Sequence, residues 1–202
     1  MRGVALVVIA KAPAAGRSKT RLCSPCTPEQ AAALAEASLR DTIAAIAAAP
    51  ARRRVVALEG EPDGWLRPGF ELHRQRGNGL AERLGEALVA AGGPALVVGM
   101  DTPQLSAPLL QEAARRLTAP GVDAVLGPAV DGGYWTIGLR GPDRSVFSGV
   151  PMSRADTSWR KGAAWTRSAC ARPCCRHYAT WTRSRMRRRW HARPRTPSSL
   201  PR

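Results

Sequence analysis

The sequence contains no apolar run of the ~18–20 residues that a helix needs to cross a bilayer, so no membrane partner is predicted. Only Arg2 precedes the first apolar run, and no small-residue cleavage site follows it, so no signal peptide is predicted either. We therefore expect a cytoplasmic protein. The chain also lacks a Walker loop and a Gly-x-Ser-x-Gly motif, the signatures of P-loop nucleotide binding and of α/β-hydrolases.

Histidine and cysteine are too few and too scattered to predict a zinc site. The chain has three His and five Cys. Cys23-Ser-Pro-Cys26 has the CxxC spacing, but the body of the chain offers no second pair of Cys or His at zinc spacing. We expect Cys23 and Cys26 to be ordinary thiols.

Acidic residues are absent from positions 158–202, although this tail holds 13 of the 31 Lys and Arg residues. Residues 1–157, the body of the chain, hold all 15 Asp and Glu together with 18 Lys and Arg. Most of the formal charge of +16 therefore lies in the tail. The body therefore has the charge of an ordinary single domain, and nucleic acid is not its expected partner. A basic arm that binds nucleic acid remains an alternative interpretation of the tail.

What the body does contain is a regular alternation of apolar runs and helical segments. Strands are predicted at 4–10, 54–58, 70–74, 95–99, 123–126 and 135–139, and helices at 28–49, 80–91 and 106–117. Thr27 and Gln30 are spaced for a capping box at the first helix, and Ser106 is a candidate cap of the third. The alternation predicts an α/β fold with a mostly parallel sheet. Ligands of such sheets bind beyond the carboxyl ends of the strands.

A basic loop, residues 11–22, follows the first predicted strand. It reads Lys-Ala-Pro-Ala-Ala-Gly-Arg-Ser-Lys-Thr-Arg-Leu and carries four cations, Lys11, Arg17, Lys19 and Arg21. Gly16 lets the backbone approach a ligand closely, and the cations are suited to pair with phosphate. The loop therefore predicts an anion site, with a solvated basic loop as the alternative.

Asp101 stands directly after an apolar strand, in Gly-Met-Asp-Thr-Pro. A carboxylate in that place suits Mg²⁺ or Mn²⁺, which bind one or two carboxylates together with substrate phosphates. A cap of the following turn is the alternative, and local spacing alone favours it.

Asp131 is followed by Gly132, Gly133 and Tyr134. The glycines remove side chains beside the carboxylate, which suits an acceptor pocket or a catalytic base. A tight hairpin turn between two strands is an equally good local interpretation. Tyr134 and Trp135 are candidates to line the pocket, although core packing is the expected role of at least one of them.

Taken together, residues 9–22, 99–103 and 126–134 resemble the bacterial DUF2064 group. That group includes proteins labelled arsenosugar-biosynthesis glycosyltransferases and belongs to the GT-A nucleotide-diphospho-sugar transferase superfamily. The resemblance extends from residue 1 to about residue 157. It implies a GT-A fold, in which a mostly parallel sheet lies between helices in three α/β/α layers.

The resemblance also implies a function and a site. The function is metal-dependent transfer of a sugar from a nucleotide-diphospho-sugar to a small-molecule acceptor, with Mg²⁺ or Mn²⁺ held at Asp101. The residues that match the nucleotide- and phosphate-binding loop are Lys11, Pro13, Gly16, Arg17, Lys19 and Arg21. Those that would face the sugar or the acceptor are Asp131, Gly132, Gly133 and Tyr134, with Asp131 as the catalytic base. Nucleotidyltransferases of the molybdopterin and phospholactate type share the fold, so nucleotidyl transfer is the alternative.

The composition of the tail points to a shifted reading frame. Four of the six Trp and three of the five Cys lie in residues 158–202. Back-translating residues 173–181 with GC-rich codons and reading from the third base gives Val-Leu-Pro-Ala-Leu-Arg-Asp-Val, and GC-rich codons for the residues that follow give Glu-Asp-Ala-Ala-Ala-Val-Ala. This resembles the acidic end segment of the superfamily, which lies near the metal. We therefore expect a frame-shifted tail that is disordered or weakly packed. The chain itself would then be impaired or inactive.

Overall fold

The computed structural model describes residues 3–129, 134–147 and 178–180. Its strands are β1 (Ala5–Lys11), β2 (Arg54–Glu59), β3 (Glu71–Arg74), β4 (Ala95–Gly99), β5 (Ala124–Pro128), β6 (Tyr134–Leu139) and β7 (Tyr178–Thr180). Its helices are α1 (Pro28–Ala47), α2 (Leu80–Ala91) and α3 (Ala107–Leu117). Every element predicted from the apolar pattern is present, with small shifts at the ends. No helix among the described residues is long and apolar enough to span a bilayer.

The strands form one sheet in the order β3-β2-β1-β4-β6-β5-β7. Strands β1 to β4 pair in parallel where they are neighbours, as do β5 and β7, whereas β6 runs antiparallel to both β4 and β5. The predicted mostly parallel α/β sheet is therefore confirmed. The consecutive strands β5 and β6 pair with each other. Asp131, Gly132 and Gly133 lie outside the described residues.

Alternation along the strands sends side chains to two separate cores. On β1, Leu6 and Val8 face α1 and α3, whereas Val7 faces α2. Because period-two alternation places neighbouring side chains on opposite faces, the sheet is covered on both sides. The three-layer arrangement implied by the resemblance is confirmed.

The helix starts differ in how they are capped. Thr27 Oγ1 accepts a hydrogen bond from the Gln30 amide at 3.2 Å, and Gln30 Oε1 accepts one from the Thr27 amide at 2.9 Å. The predicted capping box is therefore confirmed. Ser106 occupies the cap position of α3, as predicted, but its side chain makes no capping hydrogen bond.

Three consecutive arginines cap two helices at the opposite edge of the sheet from the basic loop. Arg52 Nη2 and Arg53 Nη1 each donate to the Ala91 carbonyl at 2.9 Å, at the end of α2. Arg54 Nη2 donates to the Ala49 carbonyl at 2.9 Å, just beyond α1. These bonds satisfy carbonyls that the last turn of a helix leaves without partners.

Part of the tail joins the sheet. The backbone of β7 pairs in parallel with β5, with Ala179 opposite Val125. The expectation of a disordered or weakly packed tail stays a prediction. The rest of residues 158–202 lies outside the part of the chain that the structure describes.

Candidate functional site

The carboxyl ends of β1, β2 and β4 lie side by side at one edge of the sheet. The register pairs Lys11 with Glu59 at the ends of β1 and β2, and Ile9 with Gly99 in β1 and β4. Because Asp101 follows Gly99 by two residues, it comes level with the end of β1. The basic loop and the candidate metal carboxylate thus leave the sheet at the same place.

The basic loop is closed by its own hydrogen bonds. The Ser18 hydroxyl accepts from the Ala14 amide at 2.9 Å, and the Ser18 amide donates to the Ala14 carbonyl at 3.0 Å. Ser18 is buried, while Gly16 is exposed at a positive φ of 71° with open space around it. Lys19 follows in the left-handed region at φ 49° and precedes a short 3-10 helix, Thr20–Leu22. The backbone position of Lys19 is therefore well fixed.

Lys19 and Asp101 are in direct contact across 82 positions of sequence. Lys19 Nζ donates to Asp101 Oδ2 at 2.8 Å. Their side chains are 30% and 56% exposed, respectively. A Cβ at Gly99 would lie 3.3 Å from Asp101 Oδ1, so a glycine leaves room for the carboxylate. A predicted phosphate-binding cation and the predicted metal ligand thus meet.

Asp101 is the carboxylate that contacts Lys19 at the carboxyl ends of β1 and β4. The described part of the chain contains no group of three or more His, Cys, Asp or Glu that could hold a metal ion. Mg²⁺ and Mn²⁺ do not need such a group when substrate phosphates supply the other oxygens. The donor set fits a metal that binds together with a phosphate ligand, and Asp101 is the residue that would hold it.

Glu59 is a charged residue of this edge that sequence reasoning missed. Its Oε1 lies 3.5 Å from Lys11 Nζ, and its Oε2 accepts from Arg83 of α2. Partial burial raises the pKa of Glu59, but the hydrogen bond and charge of Arg83, with the charge of Lys11, lower it further than burial raises it. The carboxyl pKa therefore lies below its ordinary value. The available signal was an acidic residue at the very end of an apolar strand.

Gln75 is a second residue that sequence reasoning missed. Its side-chain Nε2 donates to the carbonyls of Ala10 at 2.6 Å and Ala57 at 2.9 Å. Its backbone amide donates to the Leu58 carbonyl at 2.9 Å. These bonds hold the segment after β3 against the carboxyl ends of β1 and β2.

The other predicted site residues differ in their surroundings. Arg17 and Arg21 are exposed and form no ion pair with any carboxylate in the described residues. Pro13 is half-buried at the start of the loop. Cys23 and Cys26 are half-buried free thiols just beyond it. The two arginines therefore remain available to an anion.

Tyr134 and Trp135 differ in burial, and Trp135 has the core-packing role that was expected for at least one of them. Trp135 is buried in the core beneath α1 and α3, while Tyr134 is half-buried against the α2-side core at the start of β6. Burial raises the pKa of Tyr134 to about 12. The strand pairing puts Tyr134 at the same edge as Asp101.

Comparison with known families assigns the chain to a family. The sequence model described as "Uncharacterized protein conserved in bacteria (DUF2064)" matches residues 29–154. The chain belongs to the DUF2064 family. The matched range of this DUF2064 protein includes Asp101 and Asp131 but begins after the basic loop. No functionally curated protein matches the sequence.

A solved structure confirms the fold of this DUF2064 protein. A proposed nucleotide-diphospho-sugar transferase from Desulfovibrio desulfuricans G20 superposes with a TM-score of 0.71 at 28% identity, covering 83% of this chain and 77% of that one. The 2-C-methyl-D-erythritol 4-phosphate cytidylyltransferase of Thermus thermophilus gives a TM-score of 0.49 at 18% identity, covering 90% and 88%. The expected nucleotide-diphospho-sugar transferase-like fold is confirmed by the first of these.

Proposed function

We propose that this DUF2064 protein transfers a sugar from a nucleotide-diphospho-sugar to a small-molecule acceptor. The observation that carries the proposal is the contact of Lys19 with Asp101, which joins the basic loop after β1 to the carboxylate after β4. A diphosphate at this point would have cations on one side and a metal-binding carboxylate on the other. The name of the D. desulfuricans relative supports the choice of donor.

In this proposal the basic loop binds and orients the diphosphate. Its cations would neutralise the charge that develops on the leaving nucleoside diphosphate as the bond to the sugar breaks; they are Lys11, Arg17, Lys19 and Arg21. Gly16 and Pro13 would shape the backbone of the loop around the phosphates. Asp101 would hold Mg²⁺ or Mn²⁺, which when bound supplies further positive charge to the same leaving group.

We assign the acceptor to the residues around Asp131, on the side of the donor sugar that faces away from the diphosphate. Asp131 is the proposed base that removes a proton from the acceptor hydroxyl, an assignment that rests on the sequence alone. Gly132, Gly133 and Tyr134 would form the wall of that pocket. Tyr134 supports this arrangement because its strand begins at the edge where Asp101 lies.

The test is a product assay on the purified chain with Mn²⁺ and a panel of nucleotide-diphospho-sugars. We expect release of free nucleoside diphosphate, at least ~100-fold slower in Asp101→Asn, because one preorganised charge is commonly worth that much. Asp41→Asn, at an exposed site on α1, is the matched control and should retain the rate. Release of pyrophosphate from a nucleoside triphosphate would identify the nucleotidyl-transfer alternative instead. Absence of both products, from this chain and from the chain translated in the restored frame, would contradict the proposal.

A further inference from the structure

We infer that Lys19 is an internal counter-ion of Asp101 that gives way to a divalent cation when a diphosphate binds. The two ligands would then bind cooperatively. This inference rests on the proposed function, because it takes a diphosphate as the ligand of the basic loop. It concerns equilibrium binding, so it is tested without sugar transfer.

Lys19 competes directly with a metal for Asp101. Its ammonium nitrogen lies 2.8 Å from Asp101 Oδ2, so a cation that coordinates this oxygen would stand within a few ångströms of the ammonium. Like charges at that distance repel. Asp101 is the carboxylate with which Lys19 pairs, and no group of three or more His, Cys, Asp or Glu surrounds it among the described residues, so a metal at Asp101 depends on the oxygen that Lys19 occupies.

The contact of Lys19 with Asp101 can open without unfolding the basic loop. Asp101 is more than half exposed and Lys19 is about one-third exposed. Ion pairs of this exposure are weak. The hydrogen bonds between Ser18 and Ala14 fix the backbone next to Lys19, so the exchange requires only rotation of the flexible lysine stem.

A bound diphosphate would supply new partners to both Lys19 and the metal at Asp101. Its oxygens can take the Lys19 ammonium, and others can complete the coordination of a metal held at Asp101. Each ligand would thus remove an obstacle to the other. Coupling of this kind is reciprocal: a diphosphate tightens metal binding by the same factor by which the metal tightens diphosphate binding.

Lys11 provides a matched comparison within the same loop. It carries the same charge at the same edge of the sheet, but its carboxylate partner is Glu59. Removing Lys11 therefore lowers the local positive charge and leaves the Lys19 contact with Asp101 in place. A general electrostatic effect would raise the affinity for Mn²⁺ in both lysine variants. Release of a specific counter-ion would raise it in the Lys19 variant alone.

The first experiment titrates Mn²⁺ alone into the full chain and follows free Mn²⁺ by electron paramagnetic resonance. Lys19→Met should bind Mn²⁺ roughly two- to fivefold more tightly than wild type, the range expected for loss of an exposed ion pair. Lys11→Met should gain clearly less. Adding Asp101→Asn to Lys19→Met should abolish the gain. Equal affinity in wild type and Lys19→Met, or an equal gain in Lys11→Met, would overturn the inference.

The second experiment titrates inorganic pyrophosphate without metal by calorimetry. Asp101→Asn releases Lys19 and should tighten pyrophosphate binding by roughly two- to fivefold. In the Lys19→Met background the same change should give a clearly smaller gain, because no ammonium remains to be released. Equal gains in the two backgrounds would contradict the exchange. Circular dichroism and thermal unfolding establish that all variants are folded.

The two proposals fail in different ways. A chain that shows the exchange but releases no nucleoside diphosphate from any sugar nucleotide contradicts sugar transfer alone. A chain that transfers sugar but binds Mn²⁺ equally with and without Lys19 contradicts the exchange alone.

Discussion

Lys11 and Glu59 are the last residues of two adjacent parallel strands, stand opposite each other in register, and form an ion pair of 3.5 Å. Arg83, from the first turn of α2, binds the second oxygen of the same carboxylate. The first cation of the basic loop is thus anchored to the sheet and to a helix.

Replacing Glu59 with Gln should change how stability depends on pH. The folded-state pKa of Glu59 lies below its ordinary value of 4.5, so the unfolded chain binds more protons as the pH falls. The stabilisation is present at pH 7 and is lost as the pH drops below about 4.5. It should not exceed about 1 kcal/mol, because the side chains of Glu59, Arg83 and Lys11 are between 31% and 41% exposed.

Urea denaturation of wild type and Glu59→Gln at pH 7, 4.5 and 3 measures this effect. Glu61→Gln is the control, since the ion pair of Glu61 with Arg74 is largely exposed. If the difference in unfolding free energy between wild type and Glu59→Gln grew towards low pH, the predicted direction of the pH dependence would be wrong.

Thr27→Ala should lower the free energy of unfolding by about 1 kcal/mol, because it removes the capping hydrogen bond to the Gln30 amide. Ser106→Ala is the matched comparison, since Ser106 occupies a cap position without a capping bond. We expect that variant to change stability by less than about 0.5 kcal/mol. Equal losses in the two variants, measured by urea denaturation, would show that the capping box adds nothing.

Tyr134 should ionise late in an alkaline titration. The chain has two tyrosines, and burial raises the pKa of Tyr134 to about 12. Because the folded state keeps this proton longer than the unfolded state, stability should fall as the pH rises from about 10 towards 12. Absorbance at 295 nm should show a phenolate transition near pH 12 that is missing in Tyr134→Phe. A Tyr134→Phe titration identical to wild type above pH 11 would refute this.

Asp131→Asn should lower turnover by roughly 100-fold or more while the donor still binds, because a general base contributes about that factor. Donor affinity is measured by calorimetry and turnover by release of nucleoside diphosphate, with Asp41→Asn as the control. Near-normal turnover with unchanged donor binding would remove Asp131 from the role of base.

The reading frame of the tail is checked by sequencing the gene directly across codons 150–202. We expect one base missing or extra near codon 158. A chain translated in the restored frame should then release nucleoside diphosphate faster than the present chain. An intact frame at every codon would contradict the explanation of the Trp and Cys content.

The elements of the fold were predictable because each leaves a local signal. Apolar runs such as Ala95–Gly99 and the Thr27–Gln30 capping box can be recognised from neighbouring residues alone. The strand order, including the place of β6 between β4 and β5, depends on which strands pair, which no local pattern specifies. The pairing of β7 with β5 was not predicted for the same reason.

The candidate site was predictable in part. Lys19 and Asp101 each follow a strand, so their meeting at one edge was an expectation from topology. Glu59 and Arg83 were missed because their contact depends on register: Glu59 faces Lys11 only when the ends of β1 and β2 are level. Gln75 was missed because its donor bonds go to backbone carbonyls, which carry no sequence signal.

The arginines at 52–54 also influence which end of the body attracts an anion from solution. All three guanidinium groups bond to carbonyls at the ends of α1 and α2, where the helix dipole is negative, so part of their charge is offset. At the other end, Arg17 and Arg21 pair with no carboxylate in the described residues. Among the described residues, more positive charge is therefore left uncompensated at the basic loop than at these three arginines. If a diphosphate is the ligand, as we propose, it would be steered towards the basic loop, at a rate that declines as salt rises.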